Sequence, residues 1–141
     1  MIPRTALYLA LGGLVPFLVC AGVALSGNQV VLRGAEDEIM LRYGIIILAF
    51  MSGVLWGFAT NASGKMATVA YGLSVLPALW AFFTAVGPTP QALGALIPGF
   101  YGLLALDYYF WRAGLAPPWW LRLRLPLTAV VMVTLGIGTY M

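Results

Sequence analysis

Apolar positions in this chain gather into five long runs, each closed by a short polar or proline–glycine stretch. The runs cover about 5–26, 42–60, 66–86, 91–111 and 124–140. A helix needs about 20 apolar residues to cross the hydrocarbon core of a bilayer, and each run is close to that length. The pattern predicts an all-α integral membrane protein, a bundle of five transmembrane helices with short loops in one domain over 1–141. The first run is too long for a signal-peptide core, which holds about 7–15 residues, so it is read as a span.

The punctuation is also informative. Gly27 to Leu41 is the one polar loop, with Arg33 followed by Glu36, Asp37 and Glu38. Acidic residues suit the positive end of a helix dipole, so the triplet reads as a solvated start to span two. Three adjacent residues on a helix point in different directions and do not share one ion unaided. Asn61 to Lys65 and Gly87-Pro88-Thr89-Pro90 form tight turns. Prolines at 16, 77 and 98 fall within spans, where each frees a backbone carbonyl one turn earlier. Transporters build midplane sites from such broken helices, but proline is common in transmembrane helices generally. Pro126 is expected in the first turn of span five, where its missing amide costs little.

Composition agrees: 62% of residues are hydrophobic and 8% are charged, too little polar surface for a soluble domain. The net charge of +3 is too small to suggest nucleic acid. A single cysteine, Cys20, excludes an internal disulfide, and no cofactor is expected. The lack of histidine removes histidine-ligated haem, copper and zinc and a Ser-His-Asp triad. No acid, base and nucleophile set stands out, so the chain is not read as an enzyme.

Charge placement predicts orientation. One side collects Arg4, Lys65, Arg112, Arg122 and Arg124, and the other has only Arg33 and Arg42 beside three acids. The positive-inside rule then puts the N-terminus in the cytoplasm and the C-terminus in the periplasm of a bacterial inner membrane.

Candidate interaction residues fall in two groups. The segment 107–128 joins spans four and five at one membrane surface and holds Asp107, Arg112, Trp119, Trp120, Arg122 and Arg124. An intramembrane carboxylate is a functional candidate by default. Asp107, however, lies only about 7–8 Å of helix rise before Arg112, near the interface, and an arginine partner that pins spans four and five is the expected role. The paired tryptophans suit the headgroup level, and the arginines suit anionic lipid headgroups, Asp107 or a partner protein. The second group is Ala49, Gly53 and Gly57, a stripe of small residues on span two with Trp56 at belt height. Small residues let membrane helices approach closely, and packing against another span of the same chain is the expected use. A short match, Leu11-Gly12-Gly13-Leu14-Val15-Pro16 with Leu93-Gly94-Ala95-Leu96-Ile97-Pro98, does not extend and is read as coincidence rather than an inverted repeat.

Ordered pieces of the chain resemble a known family. They are Ile2-Pro3-Arg4 with Leu14-Val15-Pro16-Phe17, then Tyr43-Gly44, and then Ala49-Phe50-Met51-Ser52-Gly53-Val54-Leu55-Trp56-Gly57. Ser74-Val75-Leu76-Pro77-Ala78-Leu79-Trp80, Asp107, and Pro118-Trp119-Trp120-Leu121-Arg122-Leu123-Arg124 with Leu127-Thr128 follow. The chain resembles a domain-of-unknown-function family of small bacterial inner-membrane proteins related to mitochondrial transmembrane protein sixty-nine. That family usually has glycine where Met51-Ser52 stands and often tyrosine at Trp120, departures that read as conservative. The resemblance implies five spans and brings no activity.

The functional expectation is a non-catalytic accessory protein packed against a larger respiratory or photosynthetic membrane complex. The expected partners are lipid, including anionic headgroups, and other membrane proteins or a second copy. The alternative is a small oligomeric transporter or channel that uses the kinked helices and Asp107. Five spans hardly enclose a pathway alone.

Overall fold

Prolines and glycines divide the predicted runs into seven helices in a computed structural model that describes residues 1–27 and 35–140. The expected loop position of Arg33 lies outside the described residues, as does Met141. Span one is α1 (Arg4–Gly12) and α2 (Val15–Ser26), and span two is α3 (Glu36–Ala59). Span three is α4 (Gly64–Ser74) and α5 (Leu76–Thr84). Spans four and five are α6 (Thr89–Arg112) and α7 (Trp120–Tyr140). All five spans are long and apolar enough to cross a membrane.

Two boundaries differ from the sequence reading. Helix α3 starts at Glu36, so the acidic triplet forms its first turn, and Glu38 pairs with Arg42 across one turn at 3.0 Å. Helix α7 starts at Trp120, which places Pro126 inside the helix rather than in its first turn. The chain turns back sharply because Gly114, at φ 77°, closes α6. The Leu115 and Gly114 amides donate to the Phe110 and Trp111 carbonyls, satisfying the last turn. Helix α7 can then begin early enough to bring both Trp120 and Arg124 back to α6.

The core lies where α3, α6 and α7 meet, with α2 and α5 packed at their flanks. Leu48, Leu55, Leu93, Leu96, Leu103 and Leu135 are fully buried there. Phe17 of α2 reaches in edge-on to Phe100 of α6 and to Tyr43 of α3, with ring centroids 6.2 and 5.2 Å away. Close helix approach depends on Gly44, Gly99 and Gly138. A Cβ at Gly44 would lie 2.7 Å from Leu96, at Gly99 2.7 Å from Trp80, and at Gly138 2.9 Å from the Met40 sulfur.

Ala49, Gly53 and Gly57 do not serve this purpose, contrary to the sequence reading. All three are exposed, and a Cβ at Gly53 or Gly57 would meet nothing within 4 Å. The reason is the angular position of the core stripe on α3. Leu48, Met51, Ser52, Leu55 and Ala59 face inward, which leaves the predicted stripe on the outer side.

Each consecutive pair of spans also carries one polar tie. Tyr43 donates its hydroxyl to the Gly13 carbonyl at the break between α1 and α2 (2.9 Å). The Ala78 amide at the start of α5 donates to the Ser52 hydroxyl of α3 (2.8 Å). Trp80 of α5 donates its indole N–H to the Ala95 carbonyl of α6, just before Pro98 (2.7 Å). Asp107 of α6 binds Trp120 and Arg124 of α7. Among the described residues, no side-chain hydrogen bond joins span one to span five, which pack through apolar contacts between α2 and α7.

Candidate functional site

Asp107 sits on the buried face of α6, in register with Leu103 and Phe110, and is fully sealed from solvent. A bare carboxylate there would be costly, since ionised groups are buried only when paired and hydrogen-bonded. Helix α7 supplies both partners from successive turns. Trp120 donates its indole N–H to Oδ1 at 2.9 Å, and Arg124 donates Nε–H to Oδ2 at 2.9 Å. Trp120 is held in turn by an edge-on contact with Phe58 of α3, ring centroids 4.9 Å apart. Both carboxylate oxygens are therefore engaged, and three spans meet at the site.

The guanidinium is only partly used. Arginine carries five N–H donors, and Arg124 spends one on Asp107. Its two terminal nitrogens have no acceptor among the described residues, yet they are not sealed off. Arg124 lines a groove of about 440 Å³ between α1, α3 and α7. One turn along α7, the Thr128 hydroxyl is buried without a hydrogen-bond partner.

The other sequence candidates are spread around this centre. Arg112 is exposed and bonds the Tyr108 hydroxyl at 3.0 Å, away from Asp107. Trp119 stacks obliquely on Trp120 at 6.0 Å, and with Arg122, Trp111 and Met1 it lines a small surface cleft. Asn61 donates to the Leu115 carbonyl at 3.2 Å and so joins the turn after span two to the loop after span four. One end of the bundle thus gathers the N-terminus and both of these loops. Trp56 is half exposed and packs on Tyr71 of α4, with ring centroids 4.7 Å apart. Residues that sequence reasoning did not single out are Tyr43, Ser52 and Trp80; their signal was a polar side chain level with a proline on a neighbouring span.

The site can hold charge in place and present donors to an oxygen ligand. Among the described residues, no group of three histidine, cysteine, aspartate or glutamate side chains is placed to share a metal ion.

Comparison with known proteins places the whole chain. A family model described as "Protein of unknown function (DUF3429)" matches residues 2–140. The chain belongs to that family. It is 33% identical over 137 residues to Transmembrane protein 69 of Xenopus tropicalis, across 94% of this chain and 53% of that protein. The chain therefore spans about half the length of the curated relative it matches. No solved structure matches it. The family match takes in all five spans and every residue of the Asp107 site.

Proposed function

We propose that this membrane protein is a non-catalytic accessory subunit of a bacterial inner membrane. In this reading it packs against a larger assembly, such as a respiratory or photosynthetic complex, with its N-terminus in the cytoplasm. The observation that carries this reading is the outward-facing stripe of α3. Ala49, Gly53 and Gly57 lie along the exposed side of that helix, beside exposed Ile46, Phe50 and Trp56. Helix association in lipid relies on close backbone approach at small residues. The chain's own packing uses other glycines, which leaves this stripe for another helix.

The transport reading has less support. Asp107 has both oxygens engaged, and Tyr43 and Trp80 take up the carbonyls at Gly13 and Ala95. Little polar backbone remains to coordinate a passing ion.

The test is extraction of the tagged chain in mild detergent, followed by native electrophoresis and mass spectrometry. Stoichiometric comigration with a large assembly is expected, and its loss in Gly53→Leu. A wild-type chain that runs alone would overturn the accessory reading. A reporter active only in the cytoplasm, working when fused at the C-terminus, would overturn the orientation.

A further inference from the structure

Arg124 lines a groove that has the depth of one bilayer leaflet. The groove opens on the outer side of the seam between spans one and five, where no side-chain hydrogen bond joins the two spans among the described residues. Leu9 of α1 and Phe50 of α3 line it and are exposed, so it opens to the lipid phase. Its walls include Phe17, Val54 and Leu127, and it reaches Val131. From Trp120 to Val131, α7 rises about 16 Å. That is about half the thickness of a hydrocarbon core of roughly 30 Å. The volume of about 440 Å³ falls in the range of roughly 300–1,000 Å³ typical of small-molecule pockets.

The polar end of the groove has a definite chemistry. Arg124 is more than nine-tenths buried, and its side chain is fixed by the bond from Nε to Asp107. Its free fork of N–H donors matches a pair of oxygens on one phosphorus or carbon atom. Charge narrows the choice further. Asp107 is matched by Arg124, while Arg4, Lys65, Arg112 and Arg122 at the same end are exposed and have no acidic partner among the described residues. Arg4 begins α1, whose Ala6 and Leu9 line the groove. A negatively charged headgroup is favoured there over a zwitterionic one.

We propose that this groove holds one anionic phospholipid of the adjacent leaflet. One acyl chain lies against α1, α3 and α7, and the phosphate oxygens accept from the terminal nitrogens of Arg124. The bound lipid closes the seam between spans one and five, which has no side-chain hydrogen bond of its own among the described residues.

The experiment is native mass spectrometry of the delipidated full chain in mild detergent, titrated with phosphatidylglycerol or with phosphatidylcholine of the same acyl chains. We expect one phosphatidylglycerol per chain, retained at least tenfold more strongly than phosphatidylcholine. Arg124→Lys keeps a cation for Asp107 but lacks the fork, and the preference should fall below threefold. Val54→Phe fills the groove without touching the ion pair, and occupancy by either lipid should fall. If Arg124→Lys does not fold, Val54→Phe decides. Equal retention of the two lipids by the wild type would overturn the proposal, as would unchanged occupancy in Val54→Phe. Displacement of the lipid by equimolar palmitate or ubiquinone would overturn it too, by assigning the groove to another ligand.

Discussion

Removing the carboxylate of Asp107 tests how α6 and α7 are held together. In Asp107→Ala the Arg124 guanidinium, only 7% exposed in the native fold, loses its counter-charge, and the Trp120 indole N–H loses its acceptor. Breaking a buried pair from one side costs about 3–5 kcal/mol. Arg124 is in the second turn of α7 and can swing its head toward the interface, which reduces the cost of a stranded charge. We therefore expect about 3 kcal/mol for Asp107→Ala. Arg124→Ala leaves the carboxylate with only the tryptophan, and a loss of similar size follows, limited because the acid can take a proton instead. The double variant carries neither charge. Its remaining costs are a cavity and one unpaired indole N–H, and the latter costs about 1–3 kcal/mol. The two single losses should therefore exceed the double loss by about 2–3 kcal/mol, as expected for residues in direct contact. Unfolding with sodium dodecyl sulfate in mixed micelles, followed by tryptophan fluorescence, gives all four free energies. Additivity within about 0.5 kcal/mol, the behaviour of independent sites, would refute a coupled ion pair at this interface.

The same assay checks four further expectations. Ser52→Ala leaves the Ala78 amide without its acceptor at the start of α5 and should cost about 1 kcal/mol, as other lost helix caps do. Tyr43→Phe removes one hydrogen bond to the Gly13 carbonyl and should cost about 0.6 kcal/mol, the average for side-chain bonds between membrane helices, and no more than about 1.7 kcal/mol. Gly99→Ala pushes a methyl group to 2.7 Å from Trp80 and should cost about 1–3 kcal/mol by overpacking. Gly102→Ala, one turn away with nothing within 4 Å, should be neutral or stabilising by up to about 1 kcal/mol from helix propensity.

Much of the architecture was legible because membrane thickness fixes span length and backbone polarity forbids irregular chain in lipid. The five spans follow from those two constraints and from the spacing of polar residues. The pairing of Asp107 with an arginine was legible as well, because a sealed carboxylate requires a cation; that Arg124 rather than Arg112 provides it depends on the turn at Gly114. The stripe on α3 was misread for a physical reason. Leucine and glycine are equally at home in lipid, so the apolar periodicity that marks the inner face of a soluble helix is nearly silent here. Small residues show where helices can approach closely, without showing whether the partner is internal. Both positions that depart from the family pattern make side-chain bonds between spans: Ser52 caps α5 and Trp120 binds Asp107.

The breaks in the helices carry the information that the apolar pattern lacks. An unsatisfied backbone group in hydrocarbon costs several kcal/mol, and beside the breaks at Pro16, Pro77 and Pro98 a neighbouring span supplies a polar partner at one height and on one face. Pro16 and Pro98 each lack the amide that would serve the carbonyl four residues earlier, at Gly12 and Gly94, and beside each break the next carbonyl, Gly13 or Ala95, accepts from an aromatic donor of the adjacent span. These are corresponding positions of the short Leu-Gly-small-Leu match, and a small residue there lets a ring reach the backbone. The match thus reflects one local solution used twice, and no inverted repeat is needed to account for it. At Pro77 the demand is reversed, because the new helix start leaves an amide and Ser52 supplies the acceptor. Together with Asp107 and Arg124, these bonds fix neighbour, height and rotation for four successive pairs of spans. In a phase where apolar surface cannot choose its partner, the prolines and the one buried carboxylate specify the order of the bundle.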